Sequence, residues 1–392
     1  MLMTSAAVPA WSAEADPAKR TTPWDISALF QIPKVHPTQE CAVPGMRSFF
    51  YEGLEFKARP TRVFAYYAAP EGQPPAGGWP AVVCAHGGGG TAYPEWVKTW
   101  NQHGYAAISM DLEGHLPDQR WHENAGPARV MAFMDIGLGD REQWFYHAVA
   151  DVVRANSLLR SFPEINPNKI GLTGISWGGT IVSTAAGVDS RWAFVVPVYG
   201  CGFLHESDNE GLRQWFRVMG GDLLRDYRAK WDPSAHLPYA KMPMLWVNGS
   251  NDGTFPMDIF QRSALAAAGP RILCVRFRML HGHSPGWKAR EIYTFADSIV
   301  KGGTPLPSAG RPELDAGTRR VRTKTTGKIF RAALCYTTDG GEWKNRYWEN
   351  AACEIGVDEV SSRLPERATV FYFNVKNEST CLVSSEFVEV KK

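Results

Sequence analysis

KIGLTGISWGG, Lys169 to Gly179, sets a short apolar run against a serine framed by glycines. Within it GISWG, Gly174 to Gly178, matches G-x-S-x-G, and GTIVSTAAG follows as the small-residue start of a helix. A strand, a tight turn and a helix in that order project Ser176 Oγ from the end of a sheet, with the helix N-terminus favouring negative charge beside it. An ordinary helix N-cap serine is the plainer and weaker reading.

Working outward, the elbow needs partners. Upstream, HGGGG (His86 to Gly90) follows another apolar run, where an oxyanion donor is required. The backbone N–H of Trp177 and that of Gly88 are the candidate pair. Four successive glycines are costly in backbone entropy, and a plain surface turn rarely needs four. The loop lacks the GKS or GKT of a phosphate loop. Downstream, MPMLWVNGSNDGTFP places Asp252 just past a strand, and RILCVRFRML ends in the pair His281 and His283. A serine hydroxyl needs an adjacent base, and the base needs a group that fixes its tautomer. Asp252 is favoured over Asp258, which already stands at a helix start. His283 is favoured over His281, because Gly282 lets the loop turn back over the nucleophile; His281 is given a loop-fixing role.

The remaining runs fit around these. TRVFAYYAA, WPAVVCA, YAAISMD, RWAFVVPVYG and the runs above read as buried strands, and WFYHAVADVVRANSLLR has helical spacing. Strands that alternate with helices and are continuously apolar predict an α/β fold with a mostly parallel sheet flanked by helices. Functional residues then gather at the strands' carboxyl ends. After Gly310 the chain turns β-branched and aromatic, with turns at DGG and KNES, and predicts a smaller antiparallel β domain. The expected divisions are an N-terminal extension over 1–45, a catalytic domain over 46–305 and a sandwich-like domain over 311–392. Every candidate catalytic residue precedes Gly310, so a chain cut there is expected to be poorly soluble or altered in substrate reach while keeping residual activity on a tiny ester.

Composition closes off other classes. The 392 residues carry 42 basic and 40 acidic side chains, a net charge of +2, which gives no footprint for nucleic acid or an anionic membrane. The basic run TRRVRTKTTGK reads as the solvated face of a strand pair. No apolar run reaches membrane-spanning length. Cys84 and Cys274 sit in apolar runs as buried thiols, while Cys335, Cys353 and Cys381 leave a disulfide open. The start, MLMTSAAVPAWSAEA, reads as a remnant of an export signal, which points to a secreted or periplasmic protein. His115, His122, His281 and His283 do not have the spacing of a zinc motif, so neither a metal nor another cofactor is expected.

With GISWG, HGGGG and the order Ser176, Asp252, histidine in hand, the chain resembles the α/β-hydrolase superfamily over residues 60 to 305. More narrowly it is similar to secreted acetyl xylan esterases and dienelactone-hydrolase-like proteins related to the prolyl oligopeptidase group. Members of such families often carry the histidine in an x-G-H loop, which maps onto Gly282 and His283. True dienelactone hydrolases use a cysteine nucleophile, and Ser176 departs from that. CYTTDGGEWKNRYW, LPERATVFYFNVKNE and LVSSEFVEV resemble the appended β domain of PhoPQ-activated pathogenicity-related proteins.

The resemblance and the residues together imply a serine carboxylesterase acting on a small-molecule or oligosaccharide ester, an acetylated carbohydrate above all. Leu112 to Asp140 stands where a lid or pocket wall belongs. Tyr93, Trp96, His115, Trp121, His122, Phe255 and Trp287 are the candidate substrate contacts. A prolyl-oligopeptidase-like peptidase is the enzyme alternative, although the chain has no propeller repeat. A carbohydrate-binding protein on a hydrolase scaffold is the non-enzyme alternative.

Overall fold

The computed structural model describes residues 22–130 and 133–390, so the proposed export-signal remnant lies outside the described residues. Beyond a short edge strand at Val35–Pro37, eight strands build the first part of the main sheet: β1 (Arg47–Glu52), β2 (Arg62–Ala68), β3 (Trp79–Ala85), β4 (Ala106–Met110), β5 (Ile165–Ile175), β6 (Phe194–Val198), β7 (Met244–Gly249) and β8 (Arg271–Arg276). Their order is β1-β2-β4-β3-β5-β6-β7-β8. The first two pairings are antiparallel and all the others are parallel. β4, β6 and β7 are buried along their whole length, which is why they read as unbroken apolar runs rather than alternating ones.

Five helices matter for the site: α1 (Pro94–Gln102), α2 (Trp144–Leu159), α3 (Trp177–Val188), α4 (Met257–Ala266) and α5 (Arg290–Val300). Helical spacing in α2 suggests one buried face, yet every one of its residues is buried. The chain before β1 supplies the cover. Trp24 Nε1 donates to the Tyr146 carbonyl at 2.8 Å, and Ser157 Oγ donates to the Leu29 carbonyl at 3.0 Å. Residues 24–29, read as part of the N-terminal extension, are therefore packed onto the main core.

The chain after 310 is antiparallel, as its β-branched composition predicts. Here β9 (Arg320–Thr326), β10 (Arg331–Thr337), β11 (Glu349–Ala352), β12 (Glu359–Arg363), β13 (Val370–Lys376) and β14 (Leu382–Ser384) form two groups. β9 and β12 pair in a small sheet, and β9 alternates so that Arg320, Arg322 and Lys324 face solvent while Val321, Thr323 and Thr325 face inward. The other group continues the main sheet, in the order β8-β14-β13-β10-β11. Ser384 pairs with Leu273, and Ser384 Oγ accepts from the Val275 N–H at 2.8 Å. Met257 and Val275 bury against Cys335, Trp343, Trp348, Val370 and Tyr372 in a cluster that spans both regions.

All seven cysteines are unpaired, with Cys84 and Cys274 buried. Among the described residues no helix is long and apolar enough to cross a membrane.

Candidate active site

Ser176 sits between β5 and α3 with φ 59° and ψ −120°, a conformation rarely held by a residue with a side chain. Its N–H donates to the Val198 carbonyl at 2.9 Å, which ties the turn to β6. The turn tolerates nothing larger than glycine beside it. A Cβ on Gly178 would collide with the Ala85 carbonyl oxygen, and one on Gly174 with the Gly178 carbonyl oxygen. The strained serine is thus held by close backbone packing, as the glycines of GISWG imply.

His281 bridges Ser176 and Asp252. Its Nε2 lies 2.8 Å from Ser176 Oγ, and its Nδ1 lies 2.6 Å from Asp252 Oδ2. The carboxylate cannot swing, because Asp252 Oδ1 accepts the N–H groups of Thr254 at 2.9 Å and Phe255 at 2.8 Å. With Asp252 accepting, the ring carries its proton on Nδ1 and presents Nε2 as an acceptor to the hydroxyl. Asp258 lies at the start of α4, away from this chain of bonds.

The expectation that His283 stands between serine and aspartate is therefore corrected. It assumed that the strand runs through to Leu280, leaving His281 tied to the sheet. β8 ends at Arg276, and Arg278 turns the chain with φ 46°. Tyr199 Oη then donates to the Leu280 carbonyl at 2.7 Å, and the Tyr199 ring lies 4.5 Å from that of His281. His281 is already on a free-standing loop, so no further glycine is needed to bring it over the serine.

His283 begins a short helix, His283–Trp287, that points its ring at the glycine loop. Its Nε2 accepts the Gly87 N–H at 2.9 Å, and its Nδ1 lies 3.4 Å from the Tyr93 hydroxyl. Burial, with the nearby His86 and His281, pushes its pKa down to about 4. It is uncharged at neutral pH, as an acceptor for an N–H must be. His86 completes the brace: its Nε2 accepts from the Leu112 N–H at 2.8 Å and its Nδ1 donates to the Gly87 carbonyl at 2.7 Å.

The loop so held lies against the elbow. A Cβ on Gly87 would sit 2.9 Å from Ser176 Cβ, and one on Gly88 would sit 2.9 Å from Trp177 Cδ1. Gly88 thus packs against the Trp177 side chain.

The expected substrate contacts divide. Phe255 stacks near His281 with ring centres 6.1 Å apart and faces Trp177 at 6.4 Å, so it walls the site although it is fully buried. Tyr93 lies 4.8 Å from the His283 ring and 5.4 Å from that of Trp287. Trp96 is corrected to a core residue: it is 1% exposed and packed under Trp287. His122 is also core, packed on Phe50, with burial pushing its pKa down to about 4. Trp121, half exposed, meets His115 edge to face and lines a surface cavity of about 260 Å³ with Phe56, Arg59 and Glu123, which Ser176 does not line. Among the described residues no three potential metal ligands converge.

Sequence reasoning passed over three residues at the site. Tyr199, with φ 64°, directly follows β6 and props His281. Glu113 Oε1 accepts the Gly89 N–H at 2.9 Å and Arg129 Nε at 2.6 Å. A carboxylate three residues past a strand end, at the sheet's functional edge, was the available signal for Glu113. Nothing local marks Arg129, which arrives from the lid-like segment.

The chain has the α/β-hydrolase fold. Residues 44–207 match the family model for acetyl xylan esterase, a span that holds the glycine loop and Ser176 and ends before Asp252 and His281. An acetyl esterase from Xylanibacter ruminicola is 26% identical over 136 residues, which is 33% of this chain and 30% of that protein. The aligned stretch thus spans under a third of that curated relative. Among solved structures, the acetyl xylan esterase from Paenibacillus sp. R4 superposes with a TM-score of 0.55 at 21% identity, covering 70% of this chain and 92% of that one. Acetyl xylan esterase 1 from Thermoanaerobacterium superposes at 0.50 with 16% identity, covering 69% and 93%. At these identities the superpositions speak for the fold alone.

Proposed function

We infer that this α/β-hydrolase is a serine carboxylesterase that removes short acyl groups, acetyl above all, from carbohydrate alcohols. The observation that carries the reading is the pair of bonds made by His281, one to Ser176 Oγ and one to Asp252. The match of residues 44–207 to the acetyl xylan esterase model supports the acyl group.

In this reaction Ser176 Oγ attacks the ester carbonyl carbon while its proton passes to His281 Nε2. Asp252 keeps the ring oriented and stabilises the imidazolium. Negative charge on the carbonyl oxygen falls to the N–H groups of Trp177 and Gly88, worth about 3 kcal/mol per donor in comparable sites. The C–O bond to the alcohol breaks, and His281 returns its proton to the leaving oxygen. Water, deprotonated by His281, then attacks the acyl-enzyme, and collapse restores Ser176 and frees the carboxylic acid.

The test is covalent labelling. A fluorophosphonate should add once, at Ser176, to the folded protein, and Ser176→Ala should neither label nor turn over 4-nitrophenyl acetate. An intact mass without adduct, or an adduct elsewhere, ends the esterase reading.

A further inference from the structure

We propose that Arg129 recognises a carboxylate carried by the substrate close to the ester, so that the preferred substrates are anionic esters rather than neutral ones. The proposal rests on the esterase reading and names the substrate class of the same site.

The guanidinium stands over the glycine loop. A Cβ on Gly88 would lie 3.1 Å from Arg129 Cζ, 3.2 Å from its Nη1 and 2.9 Å from Trp177 Cδ1. With a Cα–Cβ bond of about 1.5 Å, the planar group is within about 5 Å of Gly88 Cα. It therefore borders the place where the ester carbonyl is to be held. The side chain is 21% exposed and its partner Glu113 is 8% exposed, so the group is partly accessible but largely withdrawn from water.

Arg129 has more donors than its structural duty uses. Only Nε is bonded, to Glu113 Oε1 at 2.6 Å, and among the described residues Nη1 and Nη2 have no protein acceptor. A guanidinium has five N–H donors in a rigid fork, so four remain. Leaving them unpaired in a partly desolvated wall is costly unless water or a ligand accepts them. A strap for the loop needs a single donor, which a lysine supplies. The fork, turned so that Nη1 faces Gly88, suits the two parallel oxygens of a carboxylate. Glu113 fixes that orientation. Its Oε1 is already occupied by the Gly89 N–H and by Nε, so the pair is a rigid mount rather than a free anion in the cleft.

The carboxylate can belong to the acyl half or to the alcohol half of the ester, and paired probes separate the two. Monoethyl succinate against ethyl succinamate places the charge on the acyl side; 4-acetoxybenzoate against 4-acetoxybenzamide places it on the alcohol side. Hydrolysis is followed by proton release at pH 7.5 and low salt. In one of the two pairs the wild-type chain should favour the carboxylate in kcat/KM by on the order of tenfold to a hundredfold, the size of a charge-assisted hydrogen bond. Arg129→Gln should collapse that ratio towards one, and Arg129→Lys, which keeps the charge and the Glu113 pair, should retain part of it. Binding of the same compounds to Ser176→Ala by calorimetry gives the ratio without turnover, so loss of esterase activity and loss of anion recognition are read separately. Ratios near one in both pairs for the wild type overturn the proposal. So does an Arg129→Gln variant that loses carboxylate and amide partners equally, because a loop strap or a third oxyanion donor would behave that way.

Discussion

Asn251 donates from Nδ2 to the carbonyl oxygens of Lys344 at 3.1 Å and Arg346 at 2.7 Å, which fastens the residue next to Asp252 to the turn between β10 and β11. Its own Oδ1 accepts from Ser250 Oγ, and Ser250 Oγ in turn accepts the Arg278 N–H at 3.0 Å. The aspartate loop, the histidine loop and the turn at 344–346 are thus one hydrogen-bonded unit.

Asn251→Ala should lower kcat on an activated ester by roughly fivefold to thirtyfold, since two hydrogen bonds of about 1 kcal/mol each no longer hold the acid in register. KM should change little, because no substrate contact is removed. A variant with wild-type kcat would show that Thr254 and Phe255 alone hold Asp252. The same bonds alter what is expected of a chain cut after Gly310. Removing residues 311–392 takes away both acceptors and uncovers Met257 and Val275. Aggregation or loss of activity should follow; a soluble truncated chain active on 4-nitrophenyl acetate would show the clamp to be dispensable.

The two histidines should separate cleanly. His281→Ala removes the base bonded to Ser176 and should cost at least ~10²-fold in kcat. His283→Ala frees the Gly87 N–H from its acceptor and should cost less, about tenfold, through a looser oxyanion loop. His283→Gln, which can still accept that N–H, should recover much of the loss. The opposite ranking would return the base to His283.

Most of the site was legible in the chain. G-x-S-x-G located Ser176, the order of strand ends located Asp252, and HGGGG located the loop over the elbow. The histidine was misread by two positions because the choice depends on where β8 stops. That is set by the left-handed turn at Arg278 and by Tyr199 reaching Leu280, contacts between segments far apart in sequence. Trp96 and Phe255 show the same limit. Both are aromatic and fully enclosed, yet only Phe255 is enclosed beside His281. Likewise β14 reads as one more antiparallel strand, and only the pairing of Ser384 with Leu273 reveals that it extends the main sheet.

Acid should destabilise the fold through histidines buried without charge. Burial lowers the pKa values of His103 and His147 and pushes those of His122 and His283 down to about 4. A group depressed in the folded state stabilises it fully above its unfolded value, near 6.5, and loses that contribution as pH falls towards the folded value. The histidines therefore tilt the melting temperature downward between about pH 6.5 and 4, against the opposite slope of Asp151, whose burial raises its pKa to about 7. His122→Phe and His283→Gln should each flatten that limb. Unchanged slopes in both variants would assign the acid limb to carboxylates instead.

Gly178→Ala is the sharpest test of how the elbow is held. The added methyl meets the carbonyl oxygen of Ala85 at the end of β3, and that strand end is fixed by pairing with β4 and β5. Relief requires moving α3 away from β3, which would also shift Trp177, the first residue of α3 and a proposed oxyanion donor. Loss of a backbone donor costs ~10²-fold or more in kcat, and overpacking of this kind costs about 1–3 kcal/mol in stability. Gly89→Ala is the matched control: nothing lies within 4 Å of the Cβ site, so its penalty is confined to the strained φ of 69°. Both losses should therefore be much larger at Gly178, measured as kcat on 4-nitrophenyl acetate and as the midpoint of thermal unfolding. Equal behaviour of the two variants would mean that the turn is compliant and that Ser176 does not depend on the contact between α3 and β3.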